Sequence, residues 1–511
     1  MLKARPVVVY DTSLWNHRQS PNSRPNSSGV PKRSTDAIEP RLFARTFYNW
    51  RASSTLCGPT TWGLKMNLEA LTLTEASNAI RTGSLSPLEY VQALLRRVDA
   101  VEPHVQAWTT IDRDAVLAEA RQLEVEASRK QFRGPLHGIP VGVKDIFYTR
   151  NLKTTIGSSA FADFIPTYDA AVVKKLRHAG AIIMGKCVTT VLIFLDPGKT
   201  RNPWNTNHTP GGSSSGSAAS VAARMCPVSI GSQTVGSVGR PGAYNGIVSM
   251  MPTQSRVSMS GAFPLAWSLD HVGLFSRAVA DLAPLLESLS DSPMPGHPKI
   301  QNIGKFRIGI VRDFFYEKAD SQSRNGIDAL ATKLAAAGLH VEDATMPGIF
   351  DLHPAILRTI VRSEAGAVHS QLIASKPDVY GPKLRDLVQL GMLIDSTDYL
   401  RARRIRRHYE REMVRLFDHF DVLLTPAAPG PAPEGIGATG DPVMQAPWTL
   451  ADFPTMTLPY GLASNGMPLG IQLSAAPLHE RLLLEVAGAI EGVIGFREEP
   501  EIGKTNRGLR G

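Results

Sequence analysis

The 511-residue chain predicts an α/β fold: one large domain with a central mixed β-sheet covered by helices on both faces. Three observations predict it. Segments with apolar residues at helical spacing alternate with short apolar runs, the pattern of stacked helix and sheet layers. Hydrophobic residues make up 43% of the chain, enough to bury a substantial core. No run approaches the ~18 consecutive apolar residues of a membrane-spanning helix, so no membrane span is expected.

Residues 1–65 stand apart. They are rich in Ser, Asn, Pro and Arg and lack periodicity, which reads as a disordered extension. Nine Lys/Arg against three Asp/Glu in the first 60 residues account for six of the net +9 charges. The basic balance therefore belongs to this extension, and the body of the chain does not read as a nucleic-acid binder. An Arg-rich, acid-poor start admits mitochondrial targeting as a second reading, although Pro6, Pro21 and Pro25 spoil an amphipathic helix. Three cysteines without metal or redox spacing point to a reducing, cytoplasmic compartment.

The folded body is expected over 66–495, followed by a flexible tail over 496–511. Ser86-Pro87-Leu88-Glu89 is a helix start, with a capping-box pattern and proline at the first helical position. Leu88, Val91, Leu94, Leu95, Val98 and Val101 continue it at helical spacing. Further helices are expected over 112–129, 168–178, 215–224, 278–289, 324–337, 355–374 and 398–418. Strands are expected over 140–147, 181–184, 227–230, 306–311 and 339–343. The helix from Asp398 carries Arg401, Arg403, Arg404, Arg406, Arg407 and Arg411. It reads as a solvated helix whose stripe of Leu400, Ile405, Tyr409, Met413 and Leu416 packs inward.

The stretch Thr209–Gly246 carries the chemistry. Serines and small residues cluster at 211–220 and again at 231–239, which would line a pocket with hydroxyls and backbone amides. A phosphate-binding loop would need Lys-Ser or Lys-Thr after the glycines, and none follows. Gly212-Ser213-Ser214-Ser215-Gly216 fits the G-x-S-x-G elbow, but a loop rather than a strand precedes it. A Ser-Ser-Lys site would need a lysine on a separate element. Lys144, at the end of the apolar run from Pro140, supplies one. A lysine with only a structural role would normally extend to solvent.

Together these segments resemble the amidase signature family. Gly138–Asp145 matches its G-x-P-x-x-x-K-D segment, and Gly211–Ser217 its G-G-S-S-[GS]-G-S segment. Gly231–Ser237, followed by Arg240 and Pro241, matches the third, and Ser213 and Ser237 have the family's 24-residue separation. Arg201–Asn205, Ser268–Gly273 and Gly466–Gln472 are further echoes. The resemblance implies Ser237 as nucleophile, Ser213 as bridging hydroxyl after a cis Gly212–Ser213 bond, and a neutral Lys144 as base. It implies an oxyanion hole from the backbone N–H groups of Thr234, Val235, Gly236 and Ser237. The implied reaction is hydrolysis of a small or medium carboxamide with neither metal nor cofactor. The implied partner is that small-molecule amide, and a homodimer is compatible with it.

Several positions depart from the family. Val235 replaces a glycine or alanine, Gly239 a common isoleucine, and Asn245 a frequent cysteine. Met250-Met251 replaces a hydrophobic-Lys pair, and Val191-Leu192 a Glu-Phe pair. Gln233 stands where the glutaminase subunit of amidotransferases carries Asp, which argues against that alternative function. A catalytically weak amidase-like protein is the other alternative. Trp204, Trp267 and Trp448 are expected as pocket walls, and Cys226 as a buried small hydrophobe.

Overall fold

The computed structural model describes residues 67–293 and 306–502. The basic extension 1–65 and the end of the tail, 503–511, lie outside the described residues. The strands, in chain order, are β1 Trp108–Thr110, β2 Pro140–Lys144, β3 Ile182–Cys187, β4 Val228–Gln233, β5 Val248–Met251, β6 His271–Ser276, β7 Arg307–Val311, β8 His340–Ala344, β9 Val422–Pro426, β10 Thr455–Leu462 and β11 Pro468–Ser474. They form one 11-stranded sheet in the order β1-β3-β2-β4-β6-β5-β10-β11-β9-β7-β8. Two parallel blocks, β3-β2-β4 and β9-β7-β8, are joined by antiparallel pairs, so the sheet is mixed. Every residue of β2, β3, β4 and β6 is buried, as expected of strands covered by helices on both faces.

Local chemistry explains the helix ends. Ser86 caps Pro87–Val105 by accepting from the N–H groups of Leu88 and Glu89 at 3.1 and 3.3 Å. Its hydroxyl donates to Glu124. A reciprocal capping box forms instead one helix earlier, where Thr72 and Glu75 open Leu73–Thr82. Asp112 caps Arg113–Ser128 with its side chain alone, accepting from the Ala115 N–H.

The arginine-rich helix runs Ser396–Val414, and its inward face differs from the expected stripe. Ala402, Arg406, Tyr409 and Met413 are buried, whereas Leu400 and Ile405 are exposed. The reason is Arg406. Its guanidinium donates to the carbonyls of Leu450 and Ser268 at 3.0 and 2.7 Å and pairs with Glu410 at 2.8 Å. A buried cation satisfied in this way can hold the helix face that the apolar count assigned to Leu400 and Ile405. The C-terminal half also contains elements beyond those expected: β9, β10, β11 and the helices Pro382–Met392 and Glu480–Ile494. The expected tail begins with residues held on the domain. Phe496 packs near Trp204, Glu499 pairs with Arg224, and Ile502 accepts from Arg97.

Candidate active site

β2 ends at Lys144 because the chain turns there. Asp145 Oδ2 accepts from the N–H and hydroxyl of Thr155 at 3.1 and 2.5 Å, and the Asp145 N–H donates back to Cys187. Lys144 is fully buried. Its Nζ lies 2.7 Å from Ser213 Oγ and 2.8 Å from Ser232 Oγ. Burial pushes its pKa well below the usual lysine range, and the negative charge of Asp270 partly opposes that shift. At this depth the amine is therefore disposed to be neutral.

The Ser213 segment is held by its neighbours. The Gly212–Ser213 peptide is cis. Gly211 sits at φ +77°, and a Cβ there would come within 3.0 Å of Pro241 Cα, so only glycine suits the position. The helix Ser215–Ala222 follows directly. The other serines of the cluster fasten it to the sheet: Ser214 Oγ exchanges hydrogen bonds with the Ser232 backbone, and Ser217 Oγ donates to Ile230 O at 3.0 Å. Asn202 ties the preceding loop down, donating to the carbonyls of Thr209 and Tyr244.

Ser237 lies in the turn between β4 and the short helix Gly239–Tyr244 and is half-buried. Arg240, three residues on, donates to the carbonyl of Gly212 at 2.6 Å. The helix that follows the Ser237 turn thus reaches, through this side chain, the peptide that leads into Ser213. None of the backbone N–H groups of Thr234, Val235, Gly236 and Ser237 donates to an acceptor among the described residues. A Cβ on Gly236 would come within 2.7 Å of Pro442 Cβ, so the turn is pressed against the loop that carries Pro442 and Gln445.

Three contributors were not assigned from sequence. Ser232 is the second hydroxyl on Lys144. Its signal was its place one residue before Gln233 in a strand paired with β2. Asp270 accepts from Thr234 Oγ1 at 2.6 Å and from the N–H groups of Leu265 and Ala266. Burial raises its pKa to about 6. Thr449 donates to Val235 O at 2.8 Å, and nothing in its local sequence marks it.

The tryptophans divide. Trp448 is fully buried and stacks on Phe315 with ring centroids 5.5 Å apart, so it is a core residue and not a pocket wall. Trp204 spends its N–H on Asn245 O, and Trp267 is exposed. Cys226 is fully buried, and burial raises its thiol pKa to about 11, as a small hydrophobe rather than a nucleophile requires. Among the described residues no helix is long and apolar enough to cross a membrane.

Comparison with known proteins places this geometry. The sequence profile of the amidase family matches residues 89–484. The chain is similar to the A subunit of the glutamyl-tRNA(Gln) amidotransferase of Synechococcus sp. (strain RCC307), 32% identical over 80% of this chain and 95% of that protein. The corresponding protein of Natranaerobius thermophilus is 31% identical over 87% of this chain and 100% of its own length. Among solved structures, an amidase superposes with a TM-score of 0.76 at 30% identity, covering 83% of this chain and 99% of its own. The peptide amidase of Stenotrophomonas maltophilia superposes with a TM-score of 0.74 at 27% identity, covering 85% and 99%.

Proposed function

The chain belongs to the amidase family, and on that premise we propose that it hydrolyses the C–N bond of a small or medium carboxamide through an acyl-Ser237 intermediate. One observation carries the reading: a fully buried lysine whose Nζ lies 2.7 Å from the Ser213 hydroxyl, in surroundings that disfavour its charged form. A serine hydroxyl is a weak nucleophile and needs a base. Ser237 Oγ attacks the carbonyl carbon, its proton passes to Ser213 Oγ, and the Ser213 proton passes to Lys144 Nζ. The oxygen that gains the negative charge takes hydrogen bonds from the free N–H groups of 234–237. Losing one such donor typically slows catalysis by about 10²–10³. The relay then runs backward, protonating the leaving nitrogen as the C–N bond breaks. Water adds to the acyl-enzyme by the same route, releasing the acid and restoring Ser237.

The experiment is a fluorophosphonate labelling with the adduct located by mass spectrometry, beside a carboxamide panel with ammonia detection. Labelling at Ser237 that disappears in Ser237→Ala, with ammonia release that collapses in Lys144→Ala, supports the reading. Equal ammonia release by the wild type and Lys144→Ala would end it.

A second reading, a glutaminase-type component of an amidotransferase, is favoured by the sequence relatives. Gln233 and Met251 weigh against it. Glutamine hydrolysis that appears only when partner proteins are added would decide for it.

A further inference from the structure

Gln233 closes β4 and is almost wholly buried. Its side-chain oxygen accepts from the N–H groups of Val238 and Gly239 at 2.8 and 3.1 Å. Its side-chain nitrogen donates to Thr449 Oγ1 at 2.9 Å and lies 3.0 Å from Met251 Sδ. The Thr449 hydroxyl, having accepted that bond, donates its own proton to Val235 O at 2.8 Å. One amide therefore fastens both ends of the 235–239 turn, directly at 238–239 and through Thr449 at 235. Ser237 sits between the two anchor points. The backbone adds bonds from Arg240 N to Gly236 O at 3.3 Å and from Gly242 N to Val238 O at 3.0 Å, and Ser249 Oγ and Thr457 Oγ1 donate to the carbonyls of Val238 and Gly239.

From this geometry we infer that Gln233 is a positioning residue, which holds Ser237 and the N–H groups of 234–237 in place through an uncharged brace with Thr449 and Met251. The inference deepens the reading of Ser237 as nucleophile and rests on it. Two differences, Gln at 233 where the amidotransferase subunit carries Asp and Met at 251 where the family carries Lys, become a single exchange, because the two side chains touch. A carboxylate at 233 would need a cation at this depth, and the buried thioether of Met251 offers none. An amide needs no cation. It also differs from a carboxylate in direction. A carboxylate can only accept, so it would draw the Thr449 proton to itself and leave Val235 O without its donor. Acid at 233 thus breaks the brace at the far end while keeping it at the near end.

The test uses the full chain and four variants: Gln233→Ala, Gln233→Glu, Gln233→Glu/Met251→Lys and Thr449→Val. Two readouts are taken together, the second-order rate of fluorophosphonate labelling at Ser237 and hydrogen exchange of the peptide containing Val238 and Gly239. Gln233→Ala is expected to label about 10²-fold more slowly, the scale of a misplaced reacting group, and to exchange faster at 238–239. Gln233→Glu is expected to label slowly as well, with Met251→Lys restoring most of the rate, because an ammonium beside Thr449 can pair with the carboxylate and donate to Thr449 Oγ1, freeing the Thr449 proton for Val235 O. Thr449→Val is expected to lose about tenfold, from one missing hydrogen bond. Wild-type labelling and unchanged exchange in Gln233→Ala would overturn the inference. So would a double variant no faster than Gln233→Glu, since a general packing defect is not relieved by a charge partner. If the wild type resists every fluorophosphonate, the Ser237 reading fails, while exchange at 238–239 still decides whether the brace exists.

Discussion

Two lysines lie side by side at the ends of neighbouring parallel strands, Lys144 on β2 and Lys186 on β3. Both are fully buried. Lys144 is in register with Cys187, so Lys186, one residue earlier, projects from the opposite face of the sheet. On its face Lys186 meets a carboxylate, with Asp145 Oδ1 at 3.7 Å, and it donates to Phe147 O, Thr149 Oγ1 and Thr154 Oγ1. Burial lowers its pKa to about 8, with Asp145 holding it up. Lys144 meets only the two serine hydroxyls and feels Asp270 from farther away. Equal burial thus yields two kinds of lysine. The adjacent carboxylate makes Lys186 a cation that pins the 145–155 turn, and its absence makes Lys144 a candidate base.

The comparison can be broken in order of effect. Lys144→Ala should lower carboxamide turnover by about 10²–10⁴, the usual contribution of a positioned base, while circular dichroism shows the fold intact. Lys186→Met should do the reverse. It strands the Asp145 carboxylate in the interior, and losing one partner of a buried pair costs about 3–5 kcal/mol, measurable by urea denaturation. If Lys186→Met is as stable as the wild type, the two lysines do not differ in the way described.

Asp270→Asn tests the electrostatics more finely. Above about pH 6 Asp270 is ionised, and its charge raises the Lys144 pKa against the lowering by burial. Removing the charge leaves burial unopposed, so the Lys144 pKa falls and the neutral amine persists to lower pH. The acid limb of kcat/KM should therefore move to lower pH, and a limb that stays put or moves upward would contradict the assignment of the base. Ser232→Ala is the smallest change. It removes one hydrogen bond from Lys144 and should lower kcat about tenfold, with KM nearly unchanged in steady-state assays.

Legibility follows the range of the interactions. β2, the helix after Ser213 and the strand before Gln233 were readable because period, cap and turn residues lie within a few positions of each other. Lys144 and Ser213 were readable because their motifs match a known family pattern. Arg406 was not, because a buried arginine on an otherwise solvated helix is explained only by the carbonyls of Ser268 and Leu450, which come from distant segments. Trp448 misled for the same reason, since its fate depends on Phe315, more than a hundred residues earlier. β10 and β11 do alternate, with Met456, Leu458, Tyr460 and Leu462 on one and Leu469, Ile471 and Leu473 on the other, but their pairing with β5 and β9 lies far away in sequence and only the fold shows it.

By itself the sequence determined the α/β class, the buried strand ending in lysine and the two serine-rich loops, since each is written in contiguous residues. Only the tertiary structure decided which face of the sheet each lysine looks into, that Ser232 and Asp270 share the setting of Lys144, and that Thr449 reaches Val235. The physical reason is that hydrogen bonding and desolvation act over a few ångströms of space, whatever the distance along the chain.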